Sequence, residues 1–126
     1  MSAAYTYDDE NIFAKILQGD IPCKEVYRDE YALAFHDINP QAPTHILVIP
    51  TGKYVSIDDF GANASAEEVA GFFKAVSKVA EQEGLLENGF RSIANTGDHG
   101  GQEVPHFHVH LLGGAKVGPM VSKKAA

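Results

Sequence analysis

The segment "VPHFHVHLL", residues 104–112, places three of the chain's six histidines on alternate residues: His106, His108 and His110. Phe107, Val109 and Leu111 lie between them. A period of two is that of a strand, so the histidines share one face and the apolar residues the other. The apolar face predicts packing on a core. The opposite face presents a row of groups that can each take or give a proton near neutral pH.

Working upstream, "GFRSIANTG" (89–97) reads as another strand and "DHGGQE" (98–103) as the loop between the two. Ser65 and Glu68 form an S-x-x-E capping box at the start of a long helix. Its Val69, Phe72, Phe73, Val76 and Ala80 recur at helical spacing, and Gly84 closes it. "THILVIP" (44–50) is a short apolar strand, and the two prolines of "DINPQAP" (37–43) require a loop. "KEVYRDEYALAFHD" (24–37) reads as two strands joined at Asp29-Glu30. Asn11 caps a short helix that carries Ile12, Phe13, Ile16 and Leu17 and stops at Gly19. The order predicts an α+β domain: a mainly antiparallel sheet, one long helix against a face, and a short N-terminal helix. The whole of 1–126 reads as one domain, with an N-terminal arm over 1–10 and a C-terminal tail over 115–126.

Composition narrows the function. The chain has 126 residues, 44% of them hydrophobic and 21% charged, in the range of an ordinary globular protein. No apolar run is long enough to span a membrane, and the N-terminus lacks the pattern of a signal peptide. A single cysteine, Cys23, excludes an intramolecular disulfide and fits a reducing compartment, so the cytoplasm is expected. A net charge of −7 argues against a general nucleic-acid binder. It leaves room for one small anion held by backbone N–H groups and imidazoles.

Two chemistries compete for the histidine row. H-x-H on a strand can supply two zinc ligands, but no carboxylate follows within the next twelve residues, Cys23 is remote, and Glu103 lies in the loop. Nucleophilic catalysis fits better, because an imidazole can attack an electrophile when its neighbours orient it and handle the leaving group. "NTGDHGGQE" (95–103) suggests the electrophile: Gly97, Gly100 and Gly101 permit turns that aim successive N–H groups at an anion, and Asn95 and Gln102 add amides. Together they point to phosphoryl chemistry, with no metal and no cofactor expected.

"HFHVHLL" matches the motif His-x-His-x-His-x-x, with x apolar, and so resembles the histidine triad (HIT) family. The resemblance extends through "NIFAKILQGDIP", "AFHDINPQAPTHILVIP" and "NTGDHGGQEVPHFHVHLLGG", about residues 11–114. It is nearest to the HINT branch, nucleotide-binding proteins that act as purine nucleoside phosphoramidate hydrolases. The resemblance implies a HIT-like fold, a homodimer, and a nucleotidyl-histidine intermediate formed at the α-phosphate of an AMP- or GMP-type substrate. It makes His108 the nucleophile, His110 a donor to a phosphate oxygen, His106 an orienting group and His45 a further active-site histidine. Asn95, Gly101, Gln102, Glu103 and Val104 match the phosphate loop. Asp37 and Ile38 match the ribose site, and Phe13, Ile16, Ile21 and Phe35 the slot for the base.

The chain departs from the family pattern in three places. Glu103 stands where animal members have serine, and its carboxylate would repel a phosphate unless it turns away. Asn11-Ile12-Phe13-Ala14 replaces the C-x-x-C that holds a structural zinc in some relatives. The tail lacks the tryptophan that many members carry. Two other readings stay open at this point: a nucleotide-binding interaction module whose hydrolysis is incidental, and a zinc-dependent hydrolase.

Overall fold

The computed structural model describes residues 5–121, so the outer ends of the expected arm and tail lie outside the described residues. The elements run α1 (Ile12–Gln18), β1 (Glu25–Arg28), β2 (Ala32–His36), β3 (Thr44–Pro50), α2 (Ile57–Asn63), α3 (Ala66–Gln82), β4 (Arg91–Ile93), α4 (Gly97–Gly100) and β5 (Val109–Gly113). The five strands form one sheet in the order β1-β2-β3-β5-β4, and every neighbouring pair is antiparallel. The expected α+β architecture is the observed one. The histidine strand is interior, pairing Val48 with Val109 and Leu47 with His110 on one side and Ile93 with His110 on the other.

Both faces of the sheet are covered. Phe107, Val109 and Leu111 join Ala32, Ala34, Ile46 and Val48 in a core closed by Phe60 of α2 and Phe72, Ala75 and Val79 of α3. The alternate residues Leu33, Phe35, Leu47 and Ile49 form a second core against Phe13 and Ile16 of α1. Strands buried on both faces read as continuous apolar runs, and this explains "THILVIP". The histidines point into this second layer, so their face is roofed by α1 rather than open along its length.

The caps of α1 and α3 form as expected. Asn11 accepts from the Ala14 N–H at 2.9 Å, and the reciprocal Ser65–Glu68 bonds are both present. Four expectations need correction. Phe73 is 49% exposed instead of facing the core, because its neighbour Phe72 takes the inward position. The last strand pairs only from Val109, since the Phe107 N–H turns aside to donate to the Tyr54 carbonyl at 2.7 Å. The strand expected over 89–97 is limited to Arg91–Ile93, and the loop after it contains the single turn α4. The sequence reading assigned no element to Ile57–Asn63, where α2 forms around the buried Phe60 and Asp59.

Candidate active site

The second layer opens into a cleft of about 780 Å³. Phe13, Ile16, Ile21 and Phe35 line its apolar end, and His108, His110, His45 and Asp37 its polar end. Asn95, Gly101, Glu103 and Val104 reach it from the glycine loop, and Ile38 stands at the rim, 97% exposed. Thirteen of the fifteen candidate residues therefore share one cavity. His106 and Gln102 do not line it.

The hydrogen bonds fix which nitrogen of each ring carries the proton. His106 is completely buried. Its Nε2 lies 2.9 Å from the Pro50 carbonyl, which can only accept, so Nε2–H donates there. Nδ1 is left to accept from the Tyr7 hydroxyl at 2.5 Å. His108 Nδ1–H donates to the backbone carbonyl of His106 at 2.6 Å. The lone pair of His108 is thereby left on Nε2, in the ring that borders the cleft. Phe13 packs edge-on against this ring, with centroids 5.0 Å apart.

A second chain of bonds runs beside the first. The Gln41 N–H donates to His45 Nδ1 at 3.0 Å, which keeps the His45 proton on Nε2. That Nε2–H faces His110 Nδ1 at 2.9 Å, with Asp37 Oδ2 at 3.4 Å. His110 accepts at Nδ1 and so presents Nε2–H as a donor.

Burial lowers the pKa of His108, opposed by its bond to the His106 carbonyl and by the charges of Asp37 and Glu103. Burial also lowers His110 to about 4, helped by the neighbouring His108 and His45. Both rings are therefore neutral at pH 7, so His108 keeps a lone pair and His110 keeps a neutral N–H.

His106 is lowered to about 4 by burial. Below pH 6.5 the unfolded chain then binds a proton that the folded chain refuses. The stabilising contribution is whole above 6.5 and is lost as pH falls from 6.5 towards 4. At about 1.4 kcal/mol per unit, this one ring removes about 3 kcal/mol over that interval. Urea unfolding at pH 7 and at pH 4.5 should show the loss, and His106→Gln should make it smaller, the remainder belonging to His108 and His110. A profile with the same slope in wild type and variant would contradict the assignment.

Asp37, His45 and His110 each place a ligand atom within 4.8 Å of the others, so the third metal ligand that the motif lacks exists in space. The Gln41 N–H argues against its use. A metal on His45 Nε2 would drive the ring proton to Nδ1, against another donor, whereas metal-bound imidazoles donate from the second nitrogen to an acceptor. The triangle is built as a hydrogen-bond relay.

Gln102 spends its amide inside the loop. Its Oε1 accepts from the Gly97 N–H at 3.0 Å, and its Nε2 donates to the carbonyls of Val55 at 2.6 Å and Val104 at 2.9 Å. It shapes the loop instead of reaching the cleft. Gly101, with φ +75°, supplies a left-handed turn that only glycine takes readily. Asp37 Oδ1 accepts from the Asn39 N–H at 2.8 Å, an Asx turn that leaves Oδ2 on the cleft side near His45. Two contributors escaped the sequence reading: Gln41, which acts through its backbone, and Tyr7, whose link to His106 spans 99 positions. Neither leaves a signal in local pattern.

The model of the HIT domain matches residues 18–117. The chain belongs to the histidine triad family. It is 58% identical over 120 residues to a 13.2 kDa HIT-like protein of Azospirillum brasilense, covering 95% of this chain and 98% of that one. It is 49% identical over 117 residues to the purine nucleoside phosphoramidase of Escherichia coli K12, covering 92% and 97%. Among solved structures, a histidine triad protein from Clostridium difficile superposes with a TM-score of 0.81 at 41% identity, covering 90% and 98%. These likenesses span nearly the whole length of each HIT protein. Among the described residues no helix is long and apolar enough to cross a membrane.

Proposed function

We propose that this HIT-family hydrolase cleaves purine nucleoside 5′-phosphoramidates and related mixed anhydrides through a nucleotidyl-His108 intermediate. The observation that carries the reading is the bond from His108 Nδ1–H to the His106 carbonyl, which leaves the Nε2 lone pair for phosphorus. The resemblance to the E. coli phosphoramidase supports the substrate class.

The reaction has two displacements. His108 Nε2 attacks the α-phosphorus while His110 Nε2–H hydrogen-bonds a phosphate oxygen, and the bond from phosphorus to the amine breaks as the departing nitrogen takes a proton from solvent. His45 Nε2–H, 2.9 Å from His110 Nδ1, holds that ring with its Nε2–H as the donor. Water then attacks phosphorus, the P–N bond to His108 breaks, and the nucleoside monophosphate leaves. Positioned donors and an oriented nucleophile supply the rate. Glu103 is exposed, which lets its carboxylate turn towards solvent and away from the phosphate. From the family we also infer a homodimer, in keeping with the outer edge of β4 having no partner strand among the described residues. Incubation with adenosine 5′-phosphoramidate should release AMP, and no release would refute the substrate class.

The ribose is assigned to Asp37 Oδ2, the carboxylate oxygen on the cleft side. A charge-assisted bond to a hydroxyl is worth about 1.5–3 kcal/mol, or roughly ten- to a hundredfold in efficiency. The wild type should therefore disfavour 2′-deoxy substrates by about that factor, and Asp37→Ala should treat the two sugars alike. Equal wild-type kcat/KM on ribo and deoxy substrates would remove Asp37 from the sugar site.

A further inference from the structure

The N-terminal arm lies outside the matched HIT domain, yet it reaches the back of the histidine row. Tyr7 sets its ring edge-on to His106, with centroids 5.5 Å apart, and its hydroxyl on Nδ1. The arm is tied down on both sides of this contact. Lys53 Nζ pairs with Asp9 at 2.6 Å, the Tyr5 hydroxyl donates to Asp58 at 2.5 Å, and the Asp8 carbonyl accepts from Asn11 at the cap of α1.

We propose that Tyr7 is a positioning residue for the nucleophile: its hydroxyl holds His106 in the Nε2–H tautomer, and His106 in turn offers the carbonyl that holds His108. The proposal rests on the assignment of His108 as nucleophile. The chain of donors runs one way, Tyr7 O–H to His106 Nδ1, His106 Nε2–H to Pro50, and His108 Nδ1–H to the His106 carbonyl. Burial raises the Tyr7 phenol, which keeps it a donor throughout the neutral range. Without the hydroxyl, the buried Nδ1 of His106 loses its partner, and the ring must turn or change tautomer to find another. Either change alters the side-chain bonds that anchor His106, the residue whose carbonyl fixes the proton of His108.

The test is Tyr7→Phe in the full chain, followed by kinetics and by nitrogen-15 spectra of the histidine rings. Wild type should show His106 protonated at Nε2 and His108 at Nδ1. The variant should show mixed tautomers, a kcat lower by roughly tenfold and an unchanged KM. A variant that melts lower but keeps both kcat and the wild-type ring spectrum would overturn the proposal, because a purely structural strap would behave that way. If the variant does not fold, the wild-type spectrum decides, and His106 protonated at Nδ1 overturns it. His108→Ala, assayed alongside, separates the two assignments. Retained turnover there refutes the nucleophile, while the spectra still decide whether Tyr7 sets the tautomer.

Discussion

His108→Ala should lose at least about a thousandfold in kcat and still bind a nucleoside monophosphate. The ring is buried, yet it contributes little to the apolar cores. Among the described residues its side chain makes one hydrogen bond, to the His106 carbonyl. Truncation therefore removes the atom proposed to attack phosphorus and opens space into the existing cleft. Melting by circular dichroism should stay within a few degrees of wild type. More than a tenth of wild-type turnover remaining would show that another group makes the bond to phosphorus.

Phe107→Ala, one residue earlier, should do the reverse. Phe107 is 1% exposed, stacks on Phe60 at 5.0 Å and meets Phe72 at 5.2 Å. Removing a buried phenylalanine ring costs about 3–5 kcal/mol, a large share of the 5–15 kcal/mol that typically holds a domain. Urea unfolding should show that loss, while the fraction that remains folded keeps its kcat to within a few-fold. A stable Phe107→Ala protein with lost turnover would contradict the division of the two faces.

The contrast between these neighbours is the alternation that residues 106–111 display in the sequence. It was legible because period two is local, and because the two faces differ in chemistry as well as in burial. The caps of α1 and α3 were legible for a similar reason, since Asn11 and the Ser65–Glu68 pair act on backbone within three residues of themselves. What was hidden depends on distant parts of the chain. The roof over the histidines is Phe13, brought from α1, so the depth of their burial could not be read from the motif. The helix α2 contains Gly61 and Asn63 and has weak propensity of its own. It forms because Phe60 enters the main core and Asp59 accepts the Val55 N–H at 2.8 Å.

The site divides along the same line. The triad and the loop's glycines and amides were singled out by type and spacing and the other candidates by the family resemblance, and thirteen of the fifteen line the cleft. Gln102 has the right type for a phosphate contact, but its amide is consumed by Gly97, Val55 and Val104. Gln41 contributes a peptide N–H that any residue other than proline would provide, so its side chain gave no hint. The proton positions follow from such backbone partners and become readable only in the fold.

The most direct test of the account is to catch the covalent intermediate. A single turnover of adenosine 5′-phosphoramidate, stopped in alkaline denaturant that preserves the phosphorus–nitrogen bond, should yield a chain heavier by one adenylyl group. Fragmentation should place that group on His108. A wild-type chain that releases AMP with no adenylylated species at any time, and with oxygen from solvent water entering AMP in the first chemical step, would contradict it.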